Sequence, residues 1–378
     1  MAKTYSTLSA LFIDIADAIR EKTGDTDSII ADDFPDMIRE RLQVAPPPPS
    51  ACLTFSSPSP FSIGGNSYKA GKHWNGTLEY NTTADPTDEN AWTVWDTTAT
   101  TIQAGQDSGR NNYVIYMRGI NNRYLNDDSY YSTWIFNADG NVECTGNIET
   151  LLDYETVSQG NHPEMDDYCF DYLFGYWRNL TTAPELPATN LTDSCYSHMF
   201  ADCTSLTTAP ALPATTLANN CYYGMFDHCT NLTTAPALPA TTLANKCYDS
   251  MFYRCTKLTQ APALPAETLA DYCYYYMFQE CTGLTKAPAL PATTLAPYCY
   301  YYMFQDCTSL TKAPALPATT LANDCYNSMF HGCTKLTQAP TLPATTLADY
   351  CYSAMFYGCT KLTQAPALPA TTLAPYCY

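Results

Sequence analysis

Basic residues are scarce in this chain. Over 378 residues, 18 Lys and Arg stand against 37 Asp and Glu, a formal net charge of −19. A nucleic-acid groove needs a basic face and so does a basic membrane anchor, so neither partner is expected. Long apolar runs are missing too. The opening MAKTYSTLSALFIDIADAIREK has one apolar cluster, broken by Asp14 and Asp17. It lacks the unbroken apolar stretch and cleavage site of a secretory signal. Nowhere does the chain reach the roughly 18 apolar residues of a membrane span, so no membrane insertion is expected. Work outside a cell would then depend on something other than this N-terminus. Histidine is rare, and His73, His162, His198, His228 and His331 show no metal-ligand spacing. No GxSxG, HExxH or P-loop is present. The sequence therefore predicts no enzyme activity, no cofactor and no metal.

Tyr (31), Pro (27) and Cys (18) are abundant, and a skew of this kind points to repetition. From Cys169 the chain repeats every 26 residues, with units starting at Cys169, Cys195, Cys221, Cys247, Cys273, Cys299, Cys325 and Cys351. A stub begins at Cys377. Repeat stacks need terminal caps, so this ending implies either a fragment of a longer array or a last edge covered by a partner. In one unit, Leu217, Cys221, Met225, Phe226 and Cys229 share helical spacing. They predict an α-helix with one buried stripe, N-capped by Thr215 or Thr216. Pro236 and Pro239 remove ladder donors, so the strand beside it should be brief, Leu232 to Ala235. One strand and one helix per 26 residues is a leucine-rich-repeat period. Strands stack about 4.8 Å apart and helices about 8–10 Å, so the stack should curve with its helices outside.

Sixteen of the 18 cysteines lie in the repeats. On a helix, Cys221 and Cys229 would stand about 12 Å apart, too far for a disulfide. Their spacing fits no zinc motif. They are expected to be buried free thiols serving as small apolar residues. Pairing between Cys52 and Cys144 stays open.

The pattern Cys229…Leu232…Leu238-Pro239…Met251-Phe252…Cys255 resembles the BspA-like leucine-rich repeats of bacterial surface proteins, over residues 169–378. The resemblance implies surface presentation and binding rather than catalysis.

Comparing units within the chain separates fixed from free positions. Counting from the first Cys of each unit, +1, +4 and +5 are nearly always Tyr, Met and Phe. Positions +2 and +3 change freely, as in Ser197-His198, Asp249-Ser250 and Tyr275-Tyr276, and so do +6 and +7. On a helix these point outward. They are either drift at unconstrained solvent positions or a diversified contact surface. Tyr, Ser, Asn, Asp and Gly are residues that binding loops favour. The candidate contact residues are Tyr223, Tyr253, Tyr272, Tyr275, Tyr276, Tyr298, Tyr301, Tyr302, Asn327 and Tyr357, with a patch around 272–302.

The N-terminus divides into smaller pieces. Leu8, Leu11, Phe12, Ile15 and Ile19 share one face of a helix over 5–23 that Gly24 stops. A second helix starts near Asp33 with Pro35 in its first turn. Two helices in residues 1–44 bury too little to stand alone, so Leu8, Phe12, Ile15 and Ile19 should anchor the chain to a partner or to a second copy. The segment LFIDIADAIREKTGDTDSIIADDFPDMIRERL resembles an N-terminal module of tail proteins from phages infecting Firmicutes. That resemblance implies attachment to other tail or virion proteins, with assembly in the host cytoplasm. Residues 45–50 form a stiff proline linker. Residues 51–150 suggest a β-sandwich, with candidate strands Cys52–Ser56, Gly76–Asn81, Thr93–Asp96, Tyr113–Arg118, Thr133–Asn137 and Val142–Asn147. Residues 45–168 carry 16 acids and 5 bases. A calcium site at Asp85/Asp88/Glu89 or Asp127/Asp128 is weighed against solvated acidic turns, which the lack of EF-hand spacing favours. Residues 151–168 should cap the repeats, whose first unit has Trp177 where later units have Cys.

The expected molecule is a multidomain α+β chain. It joins an N-terminal helical pair, a β-sandwich and a right-handed leucine-rich-repeat solenoid of 26-residue strand-helix units. Its expected role is non-enzymatic binding of a bacterial surface receptor, protein or glycan, from a phage tail. A BspA-like adhesin on a bacterial cell surface is the alternative.

Overall fold

The computed structural model describes residues 52–65, 74–95, 101–125 and 134–378. The expected helical pair with Leu8, Phe12, Ile15 and Ile19, the proline linker, His73 and Asp127/Asp128 lie outside the described residues. Cys52–Tyr378 form one compact unit.

Strand β1 (Leu53–Ser57) sits between β7 (Asn112–Ile120) and β9 (Val142–Thr145), antiparallel to both. Beyond β7 come β3 (Thr77–Asn81) and β4 (Thr93–Val94), and β6 (Gly105–Asp107) also pairs with β7. A second sheet runs β5 (Ile102–Gln103), β2 (Phe61–Gly64), β8 (Ile135–Ala138). Each expected strand overlaps an observed one. β2, β5 and β6 lie outside the expected strands.

Helix α1 (Thr150–Ser158) crosses β7 closely. A Cβ on Gly119 would overlap the Leu151 carbonyl, so only glycine permits this approach. Asn122 seals the contact by donating to the same carbonyl at 3.0 Å.

Strand β10 (Leu180–Thr182) belongs to the first repeat yet pairs in parallel with β9, Leu180 against Val142. The sheet thus runs into the repeats. The buried Trp177 stacks on Phe136 at 4.2 Å and donates its indole N–H to the Trp134 carbonyl at 3.0 Å. Its ring also meets Phe55 at 5.7 Å. The atypical first unit is therefore the joint through which two cores become one.

The repeats themselves contain no α-helix among the described residues, which corrects the expected strand-helix unit. Their cysteine half is a ribbon of consecutive turns. The amides of Cys221, Tyr223, Met225, Asp227 and Cys229 each donate to the carbonyl three residues earlier, at 3.0–3.4 Å. The amides between them, of Asn220, Tyr222, Gly224, Phe226 and His228, donate to the next unit at Asn245, Cys247, Asp249, Met251 and Tyr253, at 2.8–3.1 Å. Every fourth residue is left-handed: Asn220, Gly224 and His228 have φ of 51°, 55° and 57°. A helix turns 3.6 residues per turn, so a strict four-residue stripe drifts by about 40° at each step. The ribbon closes each turn in four residues and does not drift. Cys221, Met225 and Cys229, with Tyr222 and Phe226, therefore all stay buried.

The turns stack in register. Phe174 to Phe356 form one column with ring centroids 5.5–5.9 Å apart, and Tyr196 to Tyr378 a second at 5.5–6.0 Å. Turns meet more closely than helices could, so the curvature argued from helix spacing loses its basis. The expected strand Leu232 to Ala235 is a full strand in the first unit alone among those described; later units make isolated parallel bridges such as Thr208 to Thr234. Thr216 caps no helix and bridges to Thr242 instead.

Candidate binding surface

In-register stacking turns each sequence position into a column running across units. This brings the tyrosines of two neighbouring units together. Tyr272 stacks on Tyr298 at 4.6 Å, Tyr275 on Tyr301 at 5.0 Å and Tyr276 on Tyr302 at 5.2 Å. Within each unit the rings meet edge to face, Tyr275 with Tyr276 at 4.1 Å and Tyr301 with Tyr302 at 4.5 Å. All six are partly exposed, so the sequence-predicted patch is one contiguous cluster. Burial raises the phenols of Tyr275 and Tyr301 above the ordinary tyrosine range, and the neighbouring tyrosines add to it. Those two phenols therefore stay neutral, and tyrosine hydroxyls both donate and accept. Stacked pairs hold their rings face to face, which fixes the array before any ligand arrives.

The other candidates lie around it. His331 is 6.4 Å from Tyr302 and 4.9 Å from Tyr357, whose ring is 68 % exposed. Asn327 donates to Asp324 at 2.8 Å. Tyr223 and Tyr253 sit in earlier units and are not part of the cluster. Tyr223 meets the His198 ring edge to face at 4.6 Å. Tyr253 donates its hydroxyl to Glu280 at 3.1 Å, with Arg254 over its ring.

The free positions are not uniformly exposed, as the helix reading required. Ser197, Gly224, Asp249 and Ser328 are buried. The reason is the left-handed residue at +3, which turns the chain back before it reaches solvent. His198 stacks flat on Tyr172 at 4.4 Å and covers Gly224, where a Cβ would stand 2.6 Å from its ring. Burial lowers its pKa to about 4, so it is neutral. Burial also pushes the Asp249 carboxyl up to about 7, against the opposing hydrogen bond from Ser250 and charge of Lys246.

Sequence reasoning missed a polar chain that crosses units. Asp227 holds His228 Nδ1 at 2.6 Å, Arg254 donates to His228 Nε2 at 3.0 Å, and Arg254 forks onto Glu280 at 2.9 and 3.0 Å. These residues are 26 apart or adjacent, so the repeat period was the signal that could have found them.

The described cysteines are all free and buried. The thiols of Cys203, Cys229, Cys255, Cys281, Cys307, Cys333 and Cys359 each donate to a phenylalanine carbonyl of the preceding unit at 3.0–3.1 Å. Burial pushes Cys195 and Cys247 up to about 12 and Cys359 to about 11, which suppresses thiolate chemistry. Cys52 packs with Val114 and Tyr116 while Cys144 belongs to the main core, so the two do not pair.

In the acidic turn at 85–89 the carboxylates accept hydrogen bonds from the chain itself. Asp85 and Asp88 accept the amides of Thr87 and Asn90, and Glu89 forks onto Arg118 at 2.7 and 3.1 Å. Among the described residues no group of three or more His, Cys, Asp or Glu could hold a metal ion. No helix there is long and apolar enough to cross a membrane.

Residues 164–311 and 274–375, together more than half of the chain, match the family model of the BspA type leucine-rich repeat region, which occurs in six copies. Neither the curated proteins nor the solved structures give a match.

Proposed function

The chain belongs to the BspA-type leucine-rich repeat family, and from that premise we propose that it is a non-enzymatic, surface-displayed binding protein. The repeat face carries the recognition. The observation behind this reading is the cluster of Tyr272, Tyr275, Tyr276, Tyr298, Tyr301 and Tyr302. Six partly exposed rings, pre-stacked across two units at otherwise variable positions, present area and hydroxyls at low entropic cost. The target is a protein or glycan on a bacterial surface.

The N-terminal segment LFIDIADAIREKTGDTDSIIADDFPDMIRERL supports a finer version, in which residues 1–44 attach the protein to other phage tail proteins or to a second copy, and the repeats recognise the host. The family supports the second version, a cell-surface adhesin. Immunogold electron microscopy of a source culture, with antibody to residues 51–150, separates them. Gold on the tails of phage particles supports the virion role. Gold on bacterial envelopes with clean particles supports the adhesin. Label confined to the cytoplasm contradicts both.

A further inference from the structure

We propose that a cavity between the units starting at Cys273 and Cys299 is a second binding site, which takes one small molecule made of an aliphatic body and a phosphate monoester. It lies in the threonine–proline half of the repeats and goes beyond the tyrosine cluster.

These two units differ from the rest. Thirteen residues after the first Cys, one carries Lys286 and the other Lys312. The same position holds Thr182, Thr208 and Thr234 in the first three units and Gln260, Gln338 and Gln364 in the remaining ones. The two lysine units are also those that supply the pairs Tyr275-Tyr276 and Tyr301-Tyr302. Lys286 and Lys312 are exposed, and neither forms an ion pair among the described residues.

Both lysines line a cavity of about 760 Å³, together with Pro288, Leu290, Pro291, Pro314 and Pro317. The equivalent groove of an earlier pair of units, from Ala235 to Pro265, measures about 300 Å³, and no lysine lines it. Thr285, Lys286, Thr311 and Lys312 line the larger cavity, while their counterparts Thr233, Thr234, Thr259 and Gln260 do not line the smaller. The lysine units thus enlarge a proline groove into a cavity well within the size range of small-ligand sites.

The chemistry of the lining selects the occupant. The two units stand 5.7 Å apart at their Phe278 and Phe304 rings, so two flexible lysine stems can converge on one anionic group. Two ammonium charges match a phosphate monoester, which carries about 1.5–2 negative charges at pH 7. A carboxylate carries one and gains from an arginine fork, which this cavity does not offer. No acid lines the cavity to oppose the bound charge. The rest of the lining is Ala, Pro, Leu and Thr without an aromatic ring, so it offers aliphatic surface and no platform on which a nucleobase could stack. The net charge of −19 opposes approach to an anionic bilayer, which leaves a dissolved molecule as the occupant.

The test is calorimetric titration of the full chain with octyl phosphate, beside octanoate and inorganic phosphate. The variant is Lys286→Gln with Lys312→Gln. Gln260, Gln338 and Gln364 already occupy this position in other units, so the fold accepts it. A control pair, Lys257→Gln with Lys335→Gln, removes two lysines that line neither cavity. The expected result is saturable binding of one octyl phosphate per chain, about tenfold tighter than octanoate or inorganic phosphate and about tenfold weaker in the Lys286/Lys312 variant. The control pair should bind like wild type, and so should the chain with Tyr275, Tyr276, Tyr301 and Tyr302 replaced by Ser. The proposal is overturned if the wild-type chain ignores octyl phosphate, or if octanoate or inorganic phosphate binds as well. It is equally overturned if the Lys286/Lys312 variant binds like wild type, or no more weakly than the control pair.

Discussion

A left-handed residue at every fourth position determines the form of the repeat. Outside glycine that conformation costs about 1–2 kcal/mol per residue. Tyr272, Tyr276 and Glu280 accept it at φ of 58°, 53° and 56° because their amides bond to the next unit at 2.8–3.0 Å. Gly224 has a second constraint, since His198 lies over it. Gly224→Val should therefore lower stability by roughly 2 kcal/mol or more in urea unfolding. Gly358 has φ 75° but meets only the backbone of Gly332 near 3.4 Å, so Gly358→Asn should cost far less. Asp249 supplies a pH dependence. Its folded pKa of about 7 lies above the unfolded value of about 3.9, so the folded state holds the proton more tightly. Stability should fall as pH rises from about 4 to 7 and level off above. Asp249→Asn, matching Asn327 in another unit, should remove that slope and raise the melting temperature at pH 8 with little change near pH 4. An unchanged difference across this range would show that Asp249 is not held buried and protonated.

At the scale of the element, the stripe was legible in the sequence and its backbone was not. Cys221, Met225, Phe226 and Cys229 were rightly placed in the core, because burial follows spacing whatever hydrogen bonds lie beneath it. Helix and turn ribbon differ by 0.4 residues per turn, which one stripe of three turns scarcely resolves. The informative detail was the neighbour pair Tyr222 and Phe226, four apart and both buried with no drift. The patch at 272–302 was legible because stacking joins equal positions, but exposure of Ser197, Asp249 and Ser328 was misjudged for want of the left-handed turn. Two spectroscopic readings follow. Far-ultraviolet circular dichroism of the full chain should lack an α-helical signal in proportion to the repeats. Ellman's reagent at pH 8 should find the described thiols unreactive in the native protein and reactive after denaturation, without reductant. Thiols that appear only with reductant would mean disulfides instead.

Across the whole molecule, sheet and repeats share one core through the first unit. Leu180 pairs with Val142, and Trp177 fills the space between Phe55, Phe136 and Phe174. Trp177→Ala should cost about 3–5 kcal/mol and lower a single transition seen by both tryptophan fluorescence and circular dichroism. Separate transitions would argue for two independent domains. Reading residues 151–168 as a cap leading into the repeats does not reveal this joint, because the contacts that cross it, such as Trp177 Nε1 to Trp134, are distant in sequence. We infer that the repeat face recognises its target through Tyr275, Tyr276, Tyr301 and Tyr302. The most direct measurement is binding of labelled full-length protein to bacterial cells from the source culture, wild type against Tyr275→Ser, Tyr276→Ser, Tyr301→Ser and Tyr302→Ser combined, with circular dichroism as a folding control. The account predicts saturable wild-type binding and at least a tenfold weaker variant with an unchanged spectrum. Equal binding by the two proteins would contradict it.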